Sequence, residues 1–405
     1  MRRILHATHS CYVDDSSGAS VASRALLKEL HKNGFPVEVL CGNMLDVGRI
    51  NCDETQSLAT IFGLSSNYYQ GGFDAITVNS NNELYNTSTL NCHVVDGIKV
   101  WLHSCPSPKP HFPNRREYNS FLGAFENVRL NFKPEIVIGY GGDPIVLEIF
   151  KRSRYHGIKT VFVLHNFSYW DIRTFDNADV VFVPSAFAAM FYKESLGLDC
   201  VHLPNIIDKD RILIDKQNYE KKYVTFVNPS YEKGVYPFAR IADEIGRRRP
   251  DVKFLVVEGR GTERTVADCG LNLTVHGTIF FMPNTYDPKQ FLTLTKFFIM
   301  PSLWCESQGL VAVEALINGI PVIGSDRGAL PETIGGGGVI LPLPGHLTPA
   351  TRNLPSIQEI ESWVNWIIHL WDDKNALKAY SNKGLAEAQK WFNNDSFSNY
   401  LKIFL

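Results

Sequence analysis

One stretch, Phe297–Glu332, limits the possible folds of this chain more than any other. Phe297–Met300 is a short apolar run before a proline, which predicts a buried strand. Leu310–Asn318 has an apolar helical pattern, and Gly319 is typical of the residue that ends a helix. Pro321–Gly324 is apolar again and predicts the next strand. Because two sheet strands joined by a helix are normally parallel, this stretch indicates an α/β fold.

Two glutamates lie eight residues apart in this stretch, Glu306 in the loop and Glu314 one turn into the helix. Ligands of open parallel sheets bind beyond the carboxyl ends of the strands, where a helix N-terminus can receive a phosphate. One interpretation is that Glu306 caps the helix and that Glu314 is solvated. We favour a functional role, because a carboxylate is seldom buried without a partner in an otherwise apolar helix.

The same stretch resembles the signature of glycosyltransferase family 4, whose members are retaining enzymes that use nucleotide sugars. Its E-x7-E motif matches Glu306 and Glu314. The surrounding frame matches at Pro301-Ser302, Gly309-Leu310, Ala315, Gly319, Pro321-Val322-Ile323, Ser325-Asp326, Gly328 and Glu332. The resemblance implies the α/β GT-B architecture, in which the parallel sheets of two Rossmann-like domains face a central cleft. It is specific over residues 223–340 and looser over residues 1–208.

Strand and helix patterns alternate through both halves of the chain and predict two domains. The polar segment Lys209–Lys222 is the expected linker. Residues 1–208 would form the acceptor-side domain and residues 209–385 the donor-side domain. By the resemblance, a terminal helix at 386–405 would cross back to the first domain. Further strands are predicted at Glu135–Gly139, Thr160–Leu164, Asp179–Val183 and Val252–Val257, and helices at Ser20–Lys32, Arg116–Asn131, Pro144–His156, Val235–Arg247 and Ile357–Trp371.

Composition excludes several classes of protein. A net charge of −2 provides no overall basic field for nucleic acid. No apolar run approaches the length of a membrane-spanning helix, and the apolar start is too short for a signal peptide. The eight cysteines include no C-x-x-C pair, which excludes zinc ribbons and thioredoxin-like sites and indicates reduced thiols in a cytoplasmic protein.

Three basic clusters, Arg115-Arg116, Lys151–Arg154 and Arg247–Arg249, are expected to be solvated helix faces. A peripheral contact between one of them and an anionic membrane surface stays open. The oligomeric state does not follow from the sequence.

Lys233 stands just before a predicted helix N-terminus, in the segment NPSYEKG. A lysine ammonium beside free backbone amides makes an anion site, although a solvated turn lysine is the alternative. The resemblance places the family's phosphate-binding lysine at Lys233. The family's usual arginine, five residues earlier, is Asn228 in this chain, so one cation is missing. Either Arg260 substitutes for it, or Lys233 and the helix amides suffice, or donor handling differs.

The resemblance also implies individual roles. Lys233 would neutralise the departing diphosphate, Glu306 would hold the sugar hydroxyls and Glu314 the ribose hydroxyls. His165, at the end of a predicted strand, would contact the C6 side of the sugar, although a lone histidine is more often structural. The remaining donor-side candidates are Gln308, Gly309, Leu310, Val311, Asn228, Arg260, Ile279 and Gly18.

Glycine-rich turns in the first half are candidates for the acceptor side. Gly141, Gly142 and Asp143 follow a predicted strand, and Asp143 is expected above all to cap the next helix. Gly18 lies in a loop without G-x-G-x-x-G, near the donor phosphates or the acceptor by resemblance, with plain loop flexibility as the alternative. Acceptor recognition in the family is usually built from the region that corresponds to Asn43–Pro113, but no acceptor can be deduced from it.

The implied activity is transfer of a sugar, with a UDP-sugar favoured, to a hydroxyl of a glycan, a lipid-linked or a small-molecule acceptor, with retention. No cofactor or metal is expected, because lysine and helix amides would handle the diphosphate charge. The acidic pairs Asp14-Asp15 and Asp372-Asp373 lack ligand-spaced His or Cys and are expected to be solvated. One alternative is a nucleotide-sugar-binding protein without transfer activity, which Asn228 supports. A second is a sugar-nucleotide epimerase on the same fold, but such an enzyme would lack the Glu306–Glu332 frame. A third is a phosphorylase-like enzyme, but the sequence contains no recognisable cofactor-binding lysine site.

Overall fold

The chain forms two compact units in the computed structural model, which describes residues 1–45, 48–49, 76–78, 88–103, 113–215, 217, 219–392 and 394–405. Unit 1 contains Met1–Pro184, Ala189–Ile206 and Phe397–Leu405. Unit 2 contains Ser185–Ala188 and Ile207–Ser396. Most of the region Asn43–Pro113 lies outside the described residues.

Unit 1 is built around one mixed sheet. Its strands are β1 (Ile4–Ser10), β2 (Val37–Leu45), β3 (Gly48–Arg49), β4 (Ile76–Val78), β5 (Ser88–Val95), β6 (Ile98–His103), β7 (Ile136–Gly139), β8 (Lys159–Val163), β9 (Val180–Val183) and β10 (Val201–His202). Their order is β10-β9-β8-β7-β1-β2-β6-β5-β4, and β3 pairs with β2. The pairs from β10 to β6 are parallel, whereas β3, β4 and β5 each pair antiparallel.

The helices that follow these strands cover the sheet. They are α1 (Gly18–Lys32), α2 (Arg115–Phe132), α3 (Pro144–Tyr155) and α4 (Ala186–Leu196). The apolar face predicted for α1, formed by Ala22, Ala25, Leu26 and Leu30, is buried. Burial of one apolar stripe is what holds such a helix on a sheet, because short helices are only marginally stable alone.

Unit 2 contains a second sheet whose strands are all parallel. They are β11 (Tyr223–Val227), β12 (Phe254–Val257), β13 (Ile279–Met282), β14 (Thr295–Met300), β15 (Val322–Ser325) and β16 (Gly338–Leu341). Their order is β13-β12-β11-β14-β15-β16, so the direction of winding reverses between β11 and β14. Such a reversal opens a crevice at the carboxyl ends of the two strands, which is where ligands of these sheets bind.

The helices of unit 2 cover both faces of this sheet. They are α5 (Lys209–Ile212), α6 (Val235–Arg248), α7 (Glu263–Ala267), α8 (Lys289–Leu292), α9 (Leu310–Ile317), α10 (Leu330–Ile334), α11 (Ile357–Asp372) and α12 (Lys374–Phe392). The last helix, α13 (Asn394–Phe404), belongs to unit 1 from Phe397 onward. One core lies between the sheet, α6 and α11, and includes Trp363. The other lies between the sheet and α9. The predicted doubly covered α/β arrangement is therefore confirmed in this unit.

The end of the chain, from Phe397, packs within unit 1. Tyr400 and Phe404 meet the ring of Phe182 at centroid distances of 5.6 and 6.2 Å. The Tyr400 hydroxyl donates to the Pro204 carbonyl at 3.0 Å. These contacts fix the last turns of α13 on β9 and on the segment after β10.

The segment predicted as a linker is packed against unit 2. Ile212 of α5 is 1% exposed and belongs to the core around α9. The Asn318 side chain accepts from the Ile214 amide at 3.0 Å and donates to the Ile212 carbonyl at 3.0 Å. Residues 209–214 of the predicted linker therefore pack on unit 2, because Ile212 is buried and the Asn318 amide holds the backbone on either side of Leu213.

The expectation that Asp14 and Asp15 are solvated is also wrong. Asp14 is 4% exposed and accepts from the backbone and hydroxyl of Ser16. Asp15 forms an ion pair with Arg24 of α1. The loop between β1 and α1 folds back on itself, because these local hydrogen bonds replace the water that the carboxylates would otherwise require.

The basic cluster Arg247–Arg249 is balanced by carboxylates from the same unit. Its partners are Asp243 and Glu244 for Arg247, Glu244 and Glu361 for Arg248, and Asp251 and Asp372 for Arg249. The side chain of Asp372 is still 54% exposed, and Asp373 accepts from the first amides of α12. This cluster therefore has little net positive charge to offer a membrane.

Within the described ranges, no helix has the length and apolarity needed to cross a membrane. Six cysteines fall in the same ranges, at positions 11, 41, 92, 200, 269 and 305, and all six are free thiols.

Candidate functional site

The candidate site of unit 2 lies beyond the carboxyl ends of β11 and β14. The turn after β11 is held against the loop after β14, because the amides of Leu303 and Trp304 both donate to the Glu232 carbonyl at 2.9 Å. Gly234 has φ +85, and a Cβ there would lie 1.9 Å from the Pro301 carbonyl oxygen. Only glycine permits this close approach, which brings the neighbouring Lys233 over the second loop.

Lys233 and Glu306, which sequence analysis predicted for one site, are in direct contact. The Lys233 Nζ lies 2.6 Å from Glu306 Oε1, and the Ser302 hydroxyl donates to the same oxygen at 2.8 Å. The side chain of Glu306 is 8% exposed and that of Lys233 is 26% exposed. A carboxylate buried to this extent requires such partners, and the ammonium keeps one side open to a ligand.

Gly309, with φ +82, is the residue that precedes α9. The alternative interpretation, that Glu306 caps this helix, is therefore wrong. Glu306 instead forms a parallel bridge with Gly328, and the Ala329 amide donates to its carbonyl at 2.7 Å. The first amides of α9, at Leu310 and Val311, have no acceptor in their own helix, and the positive end of the helix dipole lies beside Glu306.

Gln308 lies in the same loop but is buried. Its exposure is 3%, and its carbonyl accepts from the Thr333 hydroxyl at 2.6 Å. This bond ties the loop to α10, so the structure places Gln308 where it supports the loop.

Glu314 is paired with a residue that sequence analysis missed. Arg211 of α5 donates from Nη1 to Glu314 Oε1 at 3.0 Å, and the two side chains are 21% and 11% exposed. The alternative of a solvated Glu314 is therefore wrong. The signal in the sequence was the lone carboxylate of an apolar helix, which predicts a cationic partner but does not say which cation it is.

Asn228 has a local structural role. Its φ is +57, and its side-chain oxygen accepts from the Gly261 amide at 3.0 Å. This bond joins the turns after β11 and β12. Asparagine suits the position because it tolerates the left-handed conformation and carries a short acceptor. Arg260 stands next to this joint and is exposed.

Among the donor-side candidates of unit 2, Ile279 lies away from the others. It begins β13, in register with Phe254 at the start of β12, and packs against the core. The other candidates of unit 2 follow the carboxyl ends of strands, roughly 10 Å away along a strand of this length. Because all strands of this sheet are parallel, Ile279 lies at the opposite edge.

In unit 1, His165 follows β8 and meets the ring of Tyr140 edge-on at 5.3 Å. Burial lowers the pKa of His165 to about 4. His6 of β1, which sequence analysis missed, lies with its ring centroid 5.8 Å from that of the same Tyr140. Burial and the nearby His165 lower the pKa of His6 to about 3. Both imidazoles are therefore neutral at neutral pH, and the predicted contact of His165 with a sugar stays a prediction.

The glycine-rich turn of unit 1 begins α3. Asp143 accepts from the amides of Ile145 and Val146 at 3.0 and 3.2 Å, so the predicted helix cap is confirmed. Gly141 has φ +112, and a Cβ at Gly142 would lie 3.0 Å from the Tyr169 ring. Gly18 is the exposed first residue of α1. The roles of these residues toward an acceptor stay predictions.

Comparison with known protein families gives a match for unit 2. Residues 208–385 match the family model described as glycosyl transferases group 1. The match covers most of unit 2 and none of unit 1 up to Ile206. The matched range contains the ion pair of Lys233 and Glu306, the start of α9 and the pair of Arg211 and Glu314, so the whole candidate site of unit 2 lies within it.

Two relatives of this domain are phosphatidyl-myo-inositol mannosyltransferases. The protein of Mycolicibacterium smegmatis is 29% identical over 159 residues, which are 38% of this chain and 41% of the relative. That of Mycobacterium leprae is 30% identical over 174 residues, 41% of this chain and 44% of the relative. The chain thus matches about two fifths of the length of these relatives.

Solved structures share the fold over the whole chain. The sucrose-phosphate synthase of Thermosynechococcus elongatus has a TM-score of 0.69 at 13% identity, covering 100% of this chain and 99% of its own. Anabaena HepE in complex with UDP-glucose has a TM-score of 0.68 at 15% identity, covering 99% and 100%. The α/β fold with two parallel-sheet units, predicted from the sequence, is therefore confirmed.

Proposed function

We propose that this chain transfers a sugar from a nucleoside diphosphate sugar to a hydroxyl group of an acceptor. The observation that carries the proposal is the contact of Lys233 with Glu306 beside the N-terminus of α9, at the point where the sheet of unit 2 changes winding. A cation and a helix N-terminus suit a diphosphate. A carboxylate beside them can accept hydrogen bonds from sugar hydroxyls.

The proposed reaction proceeds with retention. The bond between the anomeric carbon and the diphosphate oxygen breaks, and the acceptor oxygen bonds to the same face of that carbon. The acceptor proton passes to the departing diphosphate oxygen, so no protein base is required. Lys233 and the first amides of α9 would stabilise the negative charge that develops on the leaving group, which is the largest contribution that a fixed site can make. No metal or organic cofactor enters this scheme.

A UDP-sugar is the proposed donor, in keeping with HepE, whose structure holds UDP-glucose. A lipid-linked or glycan hydroxyl is the proposed acceptor, because relatives of unit 2 are named for transfer to phosphatidyl-myo-inositol. A cytoplasmic protein with peripheral contact to a membrane would have access to both substrates.

The test is a panel of nucleoside diphosphate sugars, with release of nucleoside diphosphate measured for the native chain and for Glu306→Gln. The amide keeps the shape but cannot hold Lys233 as an ion pair. We expect turnover to fall by about a hundredfold or more, in line with loss of one preorganised group. Binding of UDP should persist, because Lys233 would be released toward the phosphates. Near-normal turnover of Glu306→Gln would contradict the assignment.

A second candidate function is binding of a nucleotide sugar without transfer. It is favoured by Asn228, whose hydrogen bond to Gly261 replaces a cation that the resemblance leads one to expect. Tight binding of a donor without release of nucleoside diphosphate, with every acceptor tried, would support this candidate.

A further inference from the structure

Arg211 is held rigidly against the helix that carries Glu314. It lies on α5, whose last residue, Ile212, is buried in the core around α9. Asn318, one residue beyond α9, bonds the backbone at the C-terminal end of α5, at Ile212 and Ile214. The same Asn318 amide also donates to the Glu314 carbonyl at 2.9 Å. One side chain thus couples the position of Arg211 to that of Glu314.

The ion pair between Arg211 and Glu314 is not explained by stability alone. Arg211 meets the Glu314 carboxylate through Nη1, which lies 3.0 Å from Oε1, although a guanidinium can also use its Nε in such a pair. The buried Nε of Arg211 has no hydrogen-bond partner in the described part of the chain. A partly satisfied buried pair often contributes nothing to folding or costs free energy, so such pairs are commonly kept for another reason.

The spacing along α9 relates this pair to the phosphate end of the site. Glu314 comes five residues after Gly309, which places it roughly 7 Å further along the helix axis. A nucleoside diphosphate whose phosphates meet the helix N-terminus would present its ribose at about this distance.

We propose that Arg211 is a positioning residue for the donor nucleotide. It holds the Glu314 carboxylate in one orientation, so that the carboxylate can accept hydrogen bonds from the two ribose hydroxyls. The inference rests on the proposed function, and it adds a residue outside the stretch that carries the resemblance. The ligand chemistry it predicts is a ribonucleoside diphosphate with both ribose hydroxyls free.

The experiment measures the affinity of the full chain for UDP, GDP and ADP and for their 2′-deoxy and 3′-deoxy forms by calorimetry. The variants are Arg211→Gln, which removes the charge, and Arg211→Lys, which keeps it. The matched control is Arg240→Gln, because Arg240 is 20% exposed, close to the 21% of Arg211, and donates to the Pro355 carbonyl of the same unit. The melting temperature of each variant shows whether it folds.

We expect Arg211→Gln to weaken binding of the ribonucleotide by about tenfold, the effect of one charge-assisted hydrogen bond, and the deoxy forms by clearly less. Each deoxy nucleotide lacks one hydroxyl that would bond to Glu314, so its binding depends less on the orientation of the Glu314 carboxylate. Arg211→Lys should restore part of the difference, and Arg240→Gln should not change it. Glu314→Gln should reproduce the pattern and should not add to Arg211→Gln.

Equal weakening of ribonucleotides and deoxyribonucleotides by Arg211→Gln would overturn the inference, and so would unchanged affinity for both. In either case the native chain would still bind nucleotide, and the proposed function would stand. Absence of any binding by the native chain to UDP, GDP and ADP would instead contradict the proposed function, and this inference with it.

Discussion

At the scale of the residue, Asn228 shows how a missing charge can have a structural cause. The family resemblance leads one to expect an arginine at this position, so the sequence alone suggests that a cation is missing. In the structure, the Asn228 side chain links the turns after β11 and β12, because its oxygen accepts a hydrogen bond from the Gly261 amide. Its backbone has a φ of +57. An arginine there would have no acceptor to offer and would be strained by the positive φ. The site therefore relies on Lys233 and the amides of α9, with exposed Arg260 close by.

Asn228→Arg is accordingly expected to destabilise unit 2 by about 1–3 kcal/mol, the cost of an unpaired buried amide together with an unfavourable φ. Asn228→Asp is the matched control, because aspartate keeps the short acceptor and tolerates the same φ. Urea unfolding of both variants measures the difference. A fully stable Asn228→Arg would show that the bond to Gly261 is dispensable.

At the scale of the element, two short turns bring the site together. The turn before α6 and the loop before α9 touch through backbone atoms, and Gly234 permits the contact. The residues that these turns present, Lys233 and Glu306, are 73 positions apart in the chain. The strands β11 and β14 place both turns at the same edge of the sheet. The close contact between the turns then decides whether Lys233 reaches Glu306.

Gly234→Ala is expected to separate the two turns, because the added Cβ would lie 1.9 Å from the Pro301 carbonyl oxygen. Its φ of +85 adds strain for any side chain. We expect a loss of about 2 kcal/mol or more in stability and weaker binding of UDP. Thermal unfolding and UDP titration measure both effects.

Gly345→Ala serves as the control for this substitution, since no atom lies within 4 Å of a Cβ at that position. It should melt and bind as the native chain does. If Gly234→Ala did the same, the contact between the two turns would not be what positions Lys233.

At the scale of the whole molecule, the two units differ in their buried histidines. His6, His103 and His165 belong to unit 1, and burial is the largest cause of their lowered pKa values, to about 3, about 4 and about 4. In the unfolded chain these groups would titrate near their usual pKa of about 6.5. The stability that they contribute is complete above that pH and is lost as the pH falls toward the folded-state values.

Acid is therefore expected to loosen unit 1 first. Between about pH 7 and about pH 5, each of the three histidines should cost on the order of 1 kcal/mol of stability. Hydrogen exchange of peptides from β1 and β8, corrected for the intrinsic rate, should accelerate more than exchange of peptides from β12. His6→Leu should reduce the effect, because it removes one of the titrating groups. Equal acceleration in β12 would contradict this account.

Much of the fold could be predicted from the sequence, because it depends on local patterns. The apolar face of α1, the cap of α3 by Asp143 and the glycine before α9 all follow from residues within a few positions of each other. The identities of Lys233, Glu306 and Glu314 as site candidates also came from sequence, through the motif that carries the resemblance. The contact of Lys233 with Glu306 agrees with that prediction, although their roles toward substrates await experiment.

The errors share one physical reason, which is that they concern contacts between segments far apart in the chain. Arg211 meets Glu314 across 103 positions, and no local pattern records which arginine would reach that carboxylate. Ile279 was misplaced because only strand register decides the edge of the sheet at which a residue lies. The sequence by itself determined the α/β elements, their caps and the chemical groups available. Tertiary structure alone decided which of those groups meet, because packing and backbone hydrogen bonds between distant segments set the positions of the turns.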